Sequence, residues 1–299
     1  MSANEPNPAR LRNFSLAAGI LALCFGKPLY DLFRLAANSD LYSYIPLIPV
    51  ISAYLIWSQR EKLPCISAPA VKLAAPFFAG GLAAIAGCWL ADRSSSLAFE
   101  NYLSLTIFAF LLFFTGTCCL FLGKEIMRAI AFPIGLLVFI IPFPVFFRQW
   151  IETFLQHGSA AAAGGMFKLS GTPFIQDGLT FQLPGINLQV APECSGIHSS
   201  LVLLITSLIA GHLFLRSPWK RAVLCVAVIP LALLRNGFRV FVLGQLCIHI
   251  GPQMIDSPIH HHGGPIFFIL SLIPFFLLLI FLIKSERAGE KNPPQILQK

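Results

Sequence analysis

Tyr102-Leu103-Ser104-Leu105-Thr106-Ile107-Phe108-Ala109-Phe110-Leu111-Leu112-Phe113-Phe114-Thr115-Gly116-Thr117-Cys118-Cys119-Leu120-Phe121-Leu122 carries no charged side chain. A helix rises ~1.5 Å per residue, and roughly 20 apolar residues cross a bilayer, so this stretch predicts one transmembrane helix. Working outward, further apolar runs predict spans near 13–33, 43–58, 73–91, 127–147, 195–215, 221–248 and 264–283, which with 102–122 makes eight. Composition points the same way. Of 299 residues, 56% are hydrophobic and 11% are charged, against about 25% charged in soluble domains. The chain reads as an all-α polytopic membrane protein, a single integral domain over 1–299. Its longest gap between spans is 148–194, and a polar tail occupies 284–299. Arg10 and Arg12 ahead of the first run give it the look of a signal peptide. No small-x-small site with a mature domain follows, so the expectation is a retained helix.

Orientation follows from where Lys and Arg fall. With the N-terminus in the cytoplasm, that side holds Arg10, Arg12, Arg60, Lys62, Lys72, Lys124, Arg128, Arg216, Lys220, Arg221, Lys284, Arg287, Lys291 and Lys299. The opposite side holds Lys27, Arg34, Arg93, Arg148 and Lys168, and Arg235 and Arg239 lie within a span. This bias requires an even number of spans and predicts both termini inside, with 148–194 outside. The +8 net charge is divided among short loops, with no basic stripe interleaved with aromatics. Nucleic acid is therefore excluded as a partner.

The outer insertion has a pattern of its own. Arg148 to Gly158 predicts a short interfacial helix with Trp150, Ile151, Phe154 and Leu155 on its apolar side. Ala160 to Gly165 is small and reads as flexible. Leu179, Phe181 and Leu183 then alternate with polar residues, as do Ile186, Leu188 and Val190 beyond Pro184-Gly185. That is a small β-hairpin, with Pro-Gly suited to a type II turn. An isolated hairpin is marginal in water, so this one should rest on the helices. It ends four residues before Cys194.

The chain has eight cysteines. Cys24, Cys88, Cys118, Cys119 and Cys225 lie in spans, where a free thiol acts as a small hydrophobe. Cys65 falls in a loop and Cys247 near the outer end of span seven. Cys194 alone falls in an outer aqueous setting, and no disulfide framework emerges. Arg239 lies 18 residues beyond Arg221, about 27 Å along a helix, close to the outer surface of a core about 30 Å thick. Arg235 is one turn deeper on the same face, with Asn236 beside it. His260, His261 and His262 precede the last span on the outer side. Consecutive helical residues point about 100° apart, and no further zinc-type ligand pair stands near. Neither a metal site nor a cofactor is expected.

A thiol, an imidazole and a guanidinium at one aqueous rim are what thiol acyl transfer needs. The thiolate attacks, and a nearby cation lowers its pKa. The imidazole protonates the leaving amine and then activates the acceptor, while the guanidinium stabilises the oxyanion. Two other classes use the same residues. A transporter or flippase for lipid-linked sugars would grip a phosphate with Arg235, Arg239 and the His cluster. A metal-dependent intramembrane hydrolase would hold its ion with Glu193, Cys194 and one of the histidines.

The residues resemble the exosortase/archaeosortase family of membrane cysteine transpeptidases over most of the chain. Ala191-Pro192-Glu193-Cys194-Ser195-Gly196-Ile197 is similar to the family's Cys-Ser-Gly nucleophile motif. Asn236-Gly237-Phe238-Arg239 is similar to its Asn-x-x-Arg motif, and His260 through Gly264 to its His-x3-Gly, with Phe267-Phe268 in register after it. Leu41-Tyr42-Ser43-Tyr44 is similar to its Tyr-Ser-His region, with Tyr44 in place of the His. Pro265 stands where the family has Trp. The resemblance implies Cys194 as nucleophile, Arg239 as transition-state stabiliser and His260, or alternatively His261, as acid/base. Ser195, Arg235, Asn236 and His261 are candidate substrate-binding residues. The implied setting is the bacterial inner membrane, with the site on the periplasmic face. The implied partners are exported proteins bearing a C-terminal sorting signal of Pro-Glu-Pro type, and a membrane lipid or glycan-linked acceptor, often alongside exopolysaccharide production.

Overall fold

The computed structural model describes residues 8–64, 68–94, 97–191, 195–256 and 264–291. The chain forms two compact units, Met1–Arg148 and Gln149–Lys299. Among the described residues, six helical segments are long and apolar enough to cross a membrane: Asp40–Ser58, Val71–Arg93, Phe99–Ala129, Ile197–Phe214, Pro218–His249 and Gly264–Ala288. Two sharply broken pairs, Ala9–Cys24 with Gly26–Asn38 and Ala131–Ile140 with Val145–Leu169, bring the number to eight if each is one span. The protein is a multi-pass, mostly helical membrane protein, and both counts are even.

The first unit contains helices α1 (Pro8–Cys24), α2 (Gly26–Asn38), α3 (Leu47–Ser58), α4 (Val71–Ser94), α5 (Phe99–Ala129) and α6 (Ala131–Leu136). Lipid gives helices little hydrophobic reason to associate, so close packing through small residues does that work. Gly81 receives the Phe113 ring, 2.9 Å from where a β-carbon would stand, and Gly116 receives the Phe78 ring at 3.2 Å. Trp57 and Trp89, both exposed, hold the Arg60 and Arg93 guanidinium carbons 4.6 and 4.2 Å from their ring centres. Such pairs suit the boundary between lipid and water.

The fifth predicted span, 127–147, is not one straight helix. Pro142 and Pro144 lack the N–H that would continue it, and the chain passes through a 3₁₀ turn at Leu137–Ile140 before the next helix begins at Val145. The first two turns of α5 supply partners for this break. Ser104 Oγ donates to the Pro142 carbonyl at 2.6 Å, and Asn101 Oδ1 accepts from the Val145 N–H at 2.9 Å. Glu100 pairs with Arg148 at 3.3 Å. The first predicted span, 13–33, is likewise broken, by 70°, three residues before Pro28.

Helix α7 runs unbroken from Val145 to Leu169. This corrects two expectations, since neither a short helix ending at Gly158 nor a flexible Ala160–Gly165 is present. The small side chains serve packing instead. In the second unit, a β-carbon at Gly237 would stand 2.6 Å from the Ala162 Cβ and 3.0 Å from the Ser159 carbonyl oxygen. A β-carbon at Gly158 would stand 2.7 Å from Leu233 Cδ2. These residues allow α7 to press against α9 (Pro218–His249).

After α7 comes a three-stranded antiparallel sheet, β1 (Ile175–Asp177), β2 (Thr180–Leu183) and β3 (Ile186–Gln189), in that order. The expected hairpin is its β2–β3 half, with Leu183 opposite Ile186 and Gly185 at φ 85°, as a type II turn requires at that position. Strand β1 adds to it. Its three residues are all exposed, so it lacks the apolar alternation that marks the other two. Phe181, Leu183, Leu188 and Val190 are buried with Phe167 of α7 and Val240, Leu243 and Cys247 of α9. The hairpin thus rests on helices, as its marginal independent stability demands.

Helices α8 (Ile197–Phe214), α9 and α10 (Gly264–Lys291) pack through Leu203, Leu224, Val228, Phe275 and Leu279. The α8–α9 connection is tied at both ends. Arg221 Nε donates to the Leu215 carbonyl at 2.8 Å. The Glu286 carboxylate accepts from the Ser217 and Arg216 N–H groups at 2.8 and 3.1 Å, which suits an anion at a helix start.

Gly244 is the tightest point of sheet docking, because a β-carbon there would lie 2.6 Å from Phe167 Cζ and 3.0 Å from Leu183 Cδ1. Gly244→Leu is expected to cost roughly 1–3 kcal/mol by overpacking. It should lower the thermal midpoint of the purified protein in detergent by several degrees, while Gly165→Ala, which meets open space, leaves the midpoint in place.

Candidate active site

The segment holding Cys194 leaves strand β3 and enters helix α8, and both of its ends are fixed. On the strand side, the Val190 N–H donates to the Leu179 carbonyl at 2.9 Å. Buried Gln156 of α7 reaches the Val190 carbonyl with its Nε2 at 3.2 Å. On the helix side, Gly196 precedes α8 with φ 71° and ψ 20°, a left-handed conformation that glycine takes at no steric cost. Its carbonyl accepts from the Ser200 N–H at 3.0 Å, Ser200 Oγ at 2.7 Å, Ser199 Oγ at 3.1 Å and Arg235 Nη2 at 3.2 Å.

Helix α9 provides the facing wall. Arg235 is 8% exposed and Asn236 is 3% exposed. Asn236 Nδ2 donates to Ser159 Oγ at 3.0 Å, which locks the amide against α7. A β-carbon on Gly196 would stand 2.9 Å from Arg235 Nη2 and 3.2 Å from Asn236 Oδ1. Residue 196 therefore sits against these two side chains with no space for a larger residue. Ser195 is 1% exposed, and its Oγ has no hydrogen-bond partner among the described residues. Arg239 lies one turn beyond Arg235 and is half-buried.

The chain around the histidines is anchored to the same helix. Before them, Met254 packs on the cluster that contains Val240, Leu243 and Cys247. After them, Phe267 of α10 meets Phe238 of α9 edge-on, with ring centres 6.0 Å apart. Cys194, His260 and His261 themselves lie outside the described residues. Among the predicted site residues, the structure brings Ser195, Arg235 and Asn236 together around Gly196, with Arg239 on the following turn of α9. The chain on either side of Cys194 and of the His cluster is attached to the α7–α9 pair and its sheet.

A model of the transmembrane exosortase family matches residues 34–277. The chain belongs to that family. Searches of curated proteins and of solved structures return no match. The exosortase match covers most of each compact unit and every candidate residue from Tyr44 to His261, and leaves out α1, most of α2 and the end of α10. Membership carries sorting transpeptidase activity in general outline. In this exosortase, Tyr44 is buried within the first unit. That unit also holds an apolar cavity of about 370 Å³. Leucine, isoleucine, phenylalanine and proline line it, so it offers neither nucleophile nor base.

Gln156, Ser159 and Ser200 went unmarked by the sequence reading. For Ser200 a signal was present, since it stands four residues after Gly196, where a hydroxyl can return to that carbonyl. Gln156 and Ser159 had none, because their partners are far along the chain.

Gln156→Leu removes the buried donor to the Val190 carbonyl, a loss of about 1–3 kcal/mol for a group left unpaired. Hydrogen exchange read by mass spectrometry should then speed up across 179–191 and stay unchanged in α8, with sorting activity falling in parallel.

Proposed function

We propose that this exosortase is a cysteine protease and transpeptidase acting on the C-terminal sorting signals of exported proteins. Cys194 is the nucleophile. Its thiolate attacks the scissile carbonyl, and Arg239 stabilises the resulting oxyanion electrostatically. His260, or His261 in its place, gives a proton to the departing amine, leaving the substrate on sulfur as a thioester. The same imidazole then takes a proton from the incoming acceptor, a lipid- or glycan-linked nucleophile or water, and the thiol is regenerated. Asn236, Ser195 and Arg235 belong to the surrounding substrate-binding region. The substrates carry a Pro-Glu-Pro-type motif, a transmembrane helix and a basic cluster. The enzyme works in the bacterial inner membrane, with its site on the periplasmic face and both termini in the cytoplasm.

The observation that supports this reading most is the hydrogen bond from Arg235 on α9, one turn from Arg239, to the carbonyl of Gly196, two residues past Cys194, with Asn236 packed against the same glycine. A nucleophile needs a rigid approach, because misplacement by 1 Å can cost on the order of 10²-fold in rate.

Co-expression with a tailed substrate provides the test. The wild-type protein should yield a processed substrate C-terminus by mass spectrometry, and Cys194→Ala should abolish processing while substrate still co-purifies. Processing that survives Cys194→Ala would sink the reading and favour transport of lipid-linked sugars. Arg239→Ala should lower turnover by about 10²-fold or more, the size of a lost oxyanion donor. For topology, a fluorescent protein fused after Lys299 should be bright and alkaline phosphatase fused there inactive, and the reverse pattern would place the site on the other face.

A further inference from the structure

Arg235 lies outside the Asn-x-x-Arg motif, which begins at the next residue, yet α9 sends it, together with Asn236, against Gly196. One nitrogen, Nη2, serves two acceptors, the Gly196 carbonyl at 3.2 Å and Ser200 Oγ at 3.3 Å. Ser200 Oγ in turn donates to the same carbonyl at 2.7 Å. Guanidinium, hydroxyl and carbonyl therefore form a closed triangle around the peptide that joins Gly196 to α8.

Holding that carbonyl orients its peptide plane, and the left-handed φ of Gly196 passes the orientation back toward residue 194. The fit leaves no slack, since Nη2 stands 2.9 Å from the position a β-carbon would take on Gly196. The other nitrogen, Nη1, is buried and has no hydrogen-bond partner among the described residues.

We propose that Arg235 is a positioning residue of this exosortase: it clamps the Gly196 turn through Gly196 and Ser200 so that the Cys194 thiol is presented in one orientation. It acts through the chain of the nucleophile segment, and Arg239 keeps its separate role in the reaction. The proposal rests on Cys194 being the nucleophile.

The test uses the full chain, in cells for substrate processing and purified in detergent for alkylation of Cys194 by iodoacetamide. Alkylation is read at the Cys194 peptide by mass spectrometry across a pH series. Arg235→Ala should lower processing about tenfold or more, the equivalent of a lost charge-assisted hydrogen bond, and displace the pH profile of Cys194 alkylation. Arg235→Lys should recover most of both, because a single ammonium can serve the two acceptors that Nη2 now serves. Ser200→Ala should cause a smaller loss that does not add to that of Arg235→Ala, as coupled groups require.

Wild-type processing and an unchanged alkylation profile in Arg235→Ala would overturn the proposal. So would Arg235→Lys no better than Arg235→Ala, or full additivity with Ser200→Ala. If Arg235→Ala fails to accumulate, the coupling of Arg235→Lys with Ser200→Ala decides in its place. Processing that survives Cys194→Ser would instead remove the nucleophile assignment, while the Cys194 alkylation profiles would still report whether Arg235 shapes the turn.

Discussion

A guanidinium inside an apolar helix must be given acceptors by the surrounding chain. Placing one at the centre of a spanning helix costs at least ~2.5–3.5 kcal/mol on insertion scales, so the fold has to come to it. Around Arg235 it does so with the Gly196 carbonyl and the Ser200 hydroxyl. That demand fixes where α8 starts, since the glycine must lie against α9 with a positive φ. It also fixes how the chain leaves strand β3, because only a few residues separate Val190, held by Gln156, from Gly196.

The second layer of support is steric. Helices α7 and α9 meet where side chains are smallest, at Gly158, Ala162 and Gly237. This close approach brings Ser159 within 3.0 Å of Asn236. About two turns further along α9, Gly244 gives the same freedom to the Phe167 ring and the sheet. A row of small residues on two helices thus sets both the amide beside the turn and the platform beneath the hairpin.

Much of this could be read from the sequence, and the exceptions have physical causes. The spans could be read because a bilayer imposes a length and a composition. The β2–β3 register could be read because Pro184-Gly185 and two alternating runs agree. The candidate residues on α9 could be read from the cost of intramembrane charge. Strand β1 could not, because Gln176 and Asp177 carry no apolar face. The Ala160–Gly165 stretch differs from expectation because the small residues that suit a flexible segment also let two helices approach closely. The breaks near Phe25 and Pro142 have signals in Pro28, Pro142 and Pro144, but a hydropathy window averages over them. The partners of Val190 and Asn236 lie 34 and 77 residues away in the chain, beyond the reach of any local pattern.

At the tip of the hairpin, Pro184 and Gly185 are exposed while Leu183 and Leu188 on either side are buried. The two apolar rows are thereby kept apart from the loop that joins them. Exposed tips of this kind accept extra residues more readily than the strands they connect. An epitope or a small affinity tag inserted between Pro184 and Gly185 would leave both rows seated, and would give a handle on this sheet without altering either chain terminus.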